Sequence, residues 1–163
     1  MKNIILICSC LILFSCTKKS ESDVWDINID LEVETEGGVD LLDPEAKNSY
    51  NKANIELFYL LNGEEFSHSC GNCDFPKNYR IFEHEGKFIM RITPSDKIQV
   101  DGSDPITYIQ WNEKDRDTLQ CKIYRNDNGG FVSCTKVWFN GNLEYDNSGE
   151  RKITIIKSAN QAL

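Results

Sequence analysis

Residues 68–74 read His-Ser-Cys-Gly-Asn-Cys-Asp, and His68, Cys70 and Cys73 form the densest group of side chains in the chain able to hold a metal or exchange electrons. Structural zinc takes its ligands in pairs set roughly two to four residues apart. The remaining candidates, Cys121 and Cys134, have twelve residues between them. A thioredoxin-type Cys pair opens a helix in a βαβ setting, and nothing helical follows in residues 74–79, Asp-Phe-Pro-Lys-Asn-Tyr. Covalent haem attachment places His directly after the second Cys, where this chain has Asp74. A structural disulfide is therefore the expected use of Cys70 and Cys73, with no metal and no cofactor. The alternative is a thiol-redox or metal-binding role for this loop, with His68 as a further ligand.

Cys121 and Cys134 flank a hairpin-like stretch, "LQCKIYRNDNGGFVSCTKVW". A loop centred on Asp127 and Asn128 sets Cys121 opposite Cys134, at a spacing of about 4.5–5.5 Å between Cα atoms that suits a disulfide. A tight Asn128-Gly129 turn, the better two-residue turn by propensity, sets Cys121 against Lys136 instead. The disulfide-compatible register is preferred, although the four of the seven cysteines that lie beyond Cys16 allow three connectivities and spacing alone does not choose among them.

Catalytic patterns are absent from the sequence, and a non-catalytic role is expected, with a hydrolase lacking a recognisable motif as the alternative. The histidines are His68 and His84, and neither belongs to a triad motif, a phosphate-binding glycine loop or an HExxH zinc helix. Aromatic side chains offer another chemistry, stacking on sugar rings. Trp111 and Trp138 are the candidate ligand-binding residues. Most aromatics are expected to fill the core of a small β-domain, so a binding surface requires at least two of them on one exposed face.

These residues must be positioned by strands. "VWDINIDLEVE", residues 24–34, alternates with Trp25, Ile27, Ile29, Leu31 and Val33 on one side and mostly carboxylates on the other. That period marks a half-buried strand with a solvated acidic face. Residues 35–53 read as a long connection. "NIELFYLL" ends at Asn62-Gly63, a strong hairpin signal. "NYRIFEHEGKFIMRI" forms two strands around Glu85-Gly86, and "KIQV", "ITYIQW", "DTLQCKIYR", "FVSCTKVWF", "NLEY" and "KITIIK" complete the set. Short strands punctuated by turn signals, without a long helical period, predict an all-β fold: an antiparallel β-sandwich, immunoglobulin-like or related, of about 8–10 strands.

The N-terminus sets the compartment. Lys2 precedes an apolar run from Ile4 to Phe14, too short for the ~20 residues of a membrane-spanning helix and typical of a secretory signal. "LFSC", Leu13 to Cys16, resembles the lipobox of bacterial lipoproteins. The resemblance implies cleavage before Cys16, diacylglycerol on its sulfur and an acyl chain such as palmitate on its new amino terminus. Thr17 rather than Asp after that cysteine implies outer-membrane placement, facing the periplasm or the cell surface. Residues 1–15 are then the signal peptide, 16–23 the lipidated Cys and tether, and 24–163 one sandwich domain. "GGVDLLDP" (37–44), "DRDTL" (115–119) and "KVWFNGNL" (136–143) resemble stretches of small β-sandwich lipoproteins of Bacteroidota, which implies class and location without catalytic residues. The chain carries a net charge of −8, which disfavours nucleic acid as a partner. The expected partners are the membrane, through the lipid, and a glycan or protein of the cell envelope. The expected role is that of a non-catalytic binding or scaffold module.

Overall fold

The computed structural model describes residues 24–72, 74–127 and 130–158. Eleven strands run through these residues: β1 (Val24–Asp26), β2 (Ile29–Thr35), β3 (Glu56–Leu61), β4 (Glu64–Ser67), β5 (Tyr79–His84), β6 (Lys87–Ile92), β7 (Ile106–Gln110), β8 (Arg116–Arg125), β9 (Phe131–Phe139), β10 (Asn142–Tyr145) and β11 (Lys152–Lys157). They form two sheets. The larger has the order β1-β9-β8-β7-β3-β4, with β10 also paired to β9, and the smaller has the order β11-β2-β6-β5. The all-β sandwich expected from the strand spacing is the fold observed. Most pairings are antiparallel, but β1 joins β9 and β11 joins β2 in parallel, so both sheets are mixed.

The inner faces follow the alternation. Ile29, Leu31 and Val33 of β2, Ile153 and Ile155 of β11, and Met90 and Ile92 of β6 meet Leu57, Ile109, Leu119, Cys121, Val132 and Val137 of the larger sheet in one core. Fully burying a side chain of this size contributes about 1.5–3 kcal/mol. The long connection after β2 adds Leu41, Leu42 and Tyr50 to that core, so it is packed rather than merely superficial.

Three expectations are corrected. The segment 24–34 is not one strand: the ladder breaks at Ile27 and Asn28, and the chain crosses from the larger sheet to the smaller one. Trp25 thereby lies at a sheet edge, half exposed beneath the Arg125 guanidinium at 5.5 Å, not in the core. "KIQV" belongs to neither sheet, because Ile98 and Val100 point to solvent and offer no apolar face to bury. Side chains hold it instead: Gln99 donates to the Leu60 carbonyl at 2.8 Å, and the Val100 N–H donates to Asn62 Oδ1 at 2.9 Å.

The cysteine alignment also differs. Near the loop, Ile123 faces Cys134 and Arg125 faces Val132, while further along Lys122 faces Lys136 and Cys121 faces Val137. Thr135 is the extra residue of a bulge between these registers, and its hydroxyl donates to the Lys122 carbonyl at 3.1 Å. A bulge shifts one strand by a residue, so Cys121 and Cys134 are diagonal neighbours on the inner face rather than directly opposed. Both are buried free thiols.

One charged cluster crosses the core. Lys157, at the end of β11, places Nζ 2.7 Å from Asp115 Oδ1 and 2.7 Å from Asp117 Oδ2. Trp111 Nε1 donates to Asp117 Oδ2 at 2.6 Å, Asn140 Nδ2 donates to Asp117 Oδ1 at 2.8 Å, and the Tyr50 hydroxyl donates to Asp115. Trp111 has no exposed surface, and Asp115, Asp117 and Lys157 retain 5 %, 5 % and 4 % of theirs.

Candidate functional site

The outward phase of the larger sheet gathers residues of a different kind. In β8, Asp117, Leu119 and Cys121 are buried, so Arg116, Thr118, Gln120 and Lys122 lie on the opposite face. Register carries that face across the sheet. Leu60 pairs with Ile106, Ile106 with Gln120, Gln120 with Trp138, and Trp138 with Leu143, one row across five strands. At a strand spacing of about 4.8 Å the row spans about 19 Å. A second row runs from Phe58 to Tyr108 to Thr118. The aromatics of this face, Phe58, Tyr108 and Trp138, are partly buried.

The two ends of the face differ electrostatically. At one end, Arg116 lies 4.3 Å from the Tyr108 ring centroid and 5.2 Å from that of Phe58, and its guanidinium grips Glu65 with contacts of 3.1 and 2.6 Å. A two-pronged ion pair with cation–π contacts fixes that end and covers its rings. At the other end, Lys122 and Lys136 are directly opposite each other, both exposed, and neither takes part in an ion pair among the described residues. Like charges placed directly across a ladder repel. They stand next to Gln120 and Trp138 along their own strands, so an indole, an amide and two ammonium groups share one surface. A planar apolar ring flanked by amide and cationic donors can stack on a sugar ring and hold an anionic substituent.

Trp138 is thus placed where a ligand can reach it, and Trp111 is not. Trp111 continues the inward phase of Thr107 and Ile109, stacks on Tyr50 at 5.1 Å, and spends its N–H on Asp117. As a stacking platform Trp111 is corrected: its ring belongs to the core. Gln120, Lys122 and Lys136, the polar neighbours of Trp138, were missed in the sequence, although the outward phase of β8 and β9 would have supplied them once Trp138 was assigned to it.

The loop from His68 presents other chemistry. Cys70 is disulfide-bonded, with its partner outside the described residues, and its N–H donates to the Pro76 carbonyl at 3.0 Å. Cys73, the expected partner, lies outside the described residues, as do Cys16, the signal segment and the tether. His68 faces Tyr59, with ring centroids 6.0 Å apart. Among the described residues no group of three or more metal-ligating side chains converges. The Cys121 and Cys134 thiols touch. The hydrogen bond to Cys134, with burial, pushes the Cys121 thiol up, and Cys134 passes a hydrogen bond to the Lys136 carbonyl at 3.3 Å. A raised thiol buried between two sheets is a poor nucleophile.

No family model, curated protein or solved structure matches the chain.

Proposed function

We propose that this chain is a lipid-anchored, non-catalytic binding module of the bacterial outer membrane, and that it takes a glycan of the cell envelope on the outer face of the larger sheet. The lipobox-like "LFSC" ending at Cys16 supports the anchor, and the expected partners are the membrane, through that lipid, and an envelope glycan. The observation carrying the ligand class is the adjacency of Trp138, Gln120, Lys122 and Lys136 on one outward face, with both lysines exposed. Stacking supplies orientation-tolerant affinity for a sugar ring, and two lysines with no ion pair among the described residues, on a chain of net charge −8, select for a carboxylated or phosphorylated saccharide.

The test is titration of the exported, purified protein with acidic and neutral polysaccharides. The acidic chains are expected to bind more tightly. Trp138→Ala should weaken binding at least tenfold, a loss of about 1.4 kcal/mol, and Lys122→Gln with Lys136→Gln should remove the preference for acidic chains. Binding that is indifferent to Trp138, or retention of an envelope protein by the same face with no polysaccharide bound, would overturn the glycan reading.

A further inference from the structure

The Lys157–Asp115–Asp117 cluster has more polar chemistry than a structural ion pair requires. It joins β11 of the smaller sheet to the start of β8 in the larger one, and all three charged groups are buried. Both carboxylates touch the same ammonium at 2.7 Å, so one nitrogen is held between two acids. Their surroundings differ. Asp117 receives N–H donors on both oxygens, from Trp111 on Oδ2 and Asn140 on Oδ1. Asp115 receives the Tyr50 hydroxyl, which burial and then the Asp115 contact keep protonated far above the ordinary tyrosine range.

We propose that Lys157 and Asp117 condense spontaneously into an intramolecular amide, with Asp115 as the proton carrier, so that the two sheets become covalently joined. In the first step the Lys157 ammonium passes one proton to Asp117 Oδ2, 2.7 Å away, leaving a lone pair on Nζ and a neutral carboxylic acid at Asp117. That pair attacks Asp117 Cγ and forms the C–N bond. The N–H groups of Trp111 and Asn140 lie on the oxygens where negative charge develops, the arrangement that stabilises a tetrahedral intermediate. Asp115 then carries one further proton from nitrogen to the Asp117 hydroxyl, the C–O bond breaks, and that oxygen leaves as water. An ammonium and a carboxylate become an amide and one water, Asp115 ends as it began, and no oxidant or cofactor is consumed. Fixed proximity replaces activation of the acid, and burial limits the solvent that would shield the nucleophile or reverse the reaction. The aromatic walls, Trp111 and Tyr50, stack at 5.1 Å and close the cluster on one side.

The tryptic map of the purified full chain, reduced and alkylated, tests this directly. Acylated Lys157 resists trypsin, so residues 153–163 should remain one peptide, "ITIIKSANQAL". That peptide should be joined to "DTLQCK", residues 117–122, and the pair should weigh one water less than the two peptides together. Cleavage after Lys114 and Arg116 separates the two acids, so attachment to "DR", residues 115–116, would overturn the assignment of Asp117 as the acceptor. Free "ITIIK" and unmodified "DTLQCK" from protein held folded for days would overturn the proposal itself. Lys157→Arg keeps the buried cation without an acylable amine and should abolish the joined peptide. Asp115→Asn, which keeps the shape but not the proton carrier, should slow its appearance at least tenfold. This inference is independent of the binding reading, since the cluster lies on the inner face and Trp138 on the outer.

Discussion

Glu32 occupies the middle of β2 on the outer side of the smaller sheet, where alternation predicts a solvated carboxylate, yet it is nearly enclosed. Lys152 reaches it at 2.9 Å and Lys87 at 3.5 Å. Its neighbours are matched in the same way: Arg91 grips Asp30 at 2.6 and 2.7 Å, and Lys87 reaches Glu34 at 3.2 Å. The acidic row is thus one side of a charge ladder rather than a set of free cation ligands. The hydrogen bond from Lys152, reinforced by the charges of both lysines against the cost of desolvation, lowers the Glu32 carboxyl below its ordinary 4.5. A carboxylate lowered on folding adds stability that is present above its unfolded value and lost as pH falls through the folded one. Glu32→Gln should therefore destabilise the protein at neutral pH and converge with wild type in acid. Urea midpoints for the two proteins from neutral pH downwards check this. A gap that stays constant through the acid range would show that the pairing carries no linkage.

The β5–β6 hairpin turns on Glu85-Gly86, with φ of 53° and 79°. Two positive φ angles in a two-residue loop match the turn that suits the twist of the strands, and its first position favours Asn over Glu. The β3–β4 hairpin places Asn62 and Gly63 in the same conformation, φ 54° and 86°. A non-glycine residue held there is strained, and Asn tolerates the left-handed region better than Glu. Glu85→Asn should raise stability by about 0.5–1 kcal/mol, as compatible turn substitutions commonly do. An unchanged denaturant midpoint would mean that Glu85 carries no such strain. These turns and the alternating strands between them were legible because each depends on a few neighbouring residues. The bulge at Thr135 was not, because "FVSCTKVWF" keeps its apolar residues whether or not one position is unpaired. The crossover at Ile27 and Asn28 was equally hidden, since both halves of the segment alternate in the same phase. The Lys157 cluster was written in the pattern but passed over: Lys157 shares the inward phase of Ile153 and Ile155, and Asp117 that of Leu119. A charge on an apolar phase is the sequence sign of a buried pair.

At the scale of the whole molecule, the order of the sheets makes the sandwich cooperative. The smaller sheet is completed by β11 lying in parallel on β2, strands from opposite ends of the described chain. The larger sheet ends at β1, which shares one edge of β9 with β10. The smaller sheet is complete only when both ends of the described chain are in place, so the inner faces open together rather than piecemeal. Cys121 and Cys134 sit at that interface, 1 % and 0 % exposed, and report on its opening. In the native protein a thiol reagent should modify neither at an appreciable rate. Under unfolding conditions without reductant both should react together, with a labelling midpoint that coincides with loss of the β-sheet signal. Peptide mapping after a short alkylation pulse at increasing denaturant reads both sites separately. Labelling of one thiol well before the other would show that the β8–β9 hairpin opens independently of the sandwich. Failure of both to label after complete unfolding would show that the two thiols, already in contact, had been joined in a disulfide. The same experiment bears on how the sheets are held: an amide between Lys157 and Asp117 keeps β8 tied to β11 in the unfolded chain. That tie shortens the loop to be closed on refolding, so wild type should recover its protection faster than Lys157→Arg.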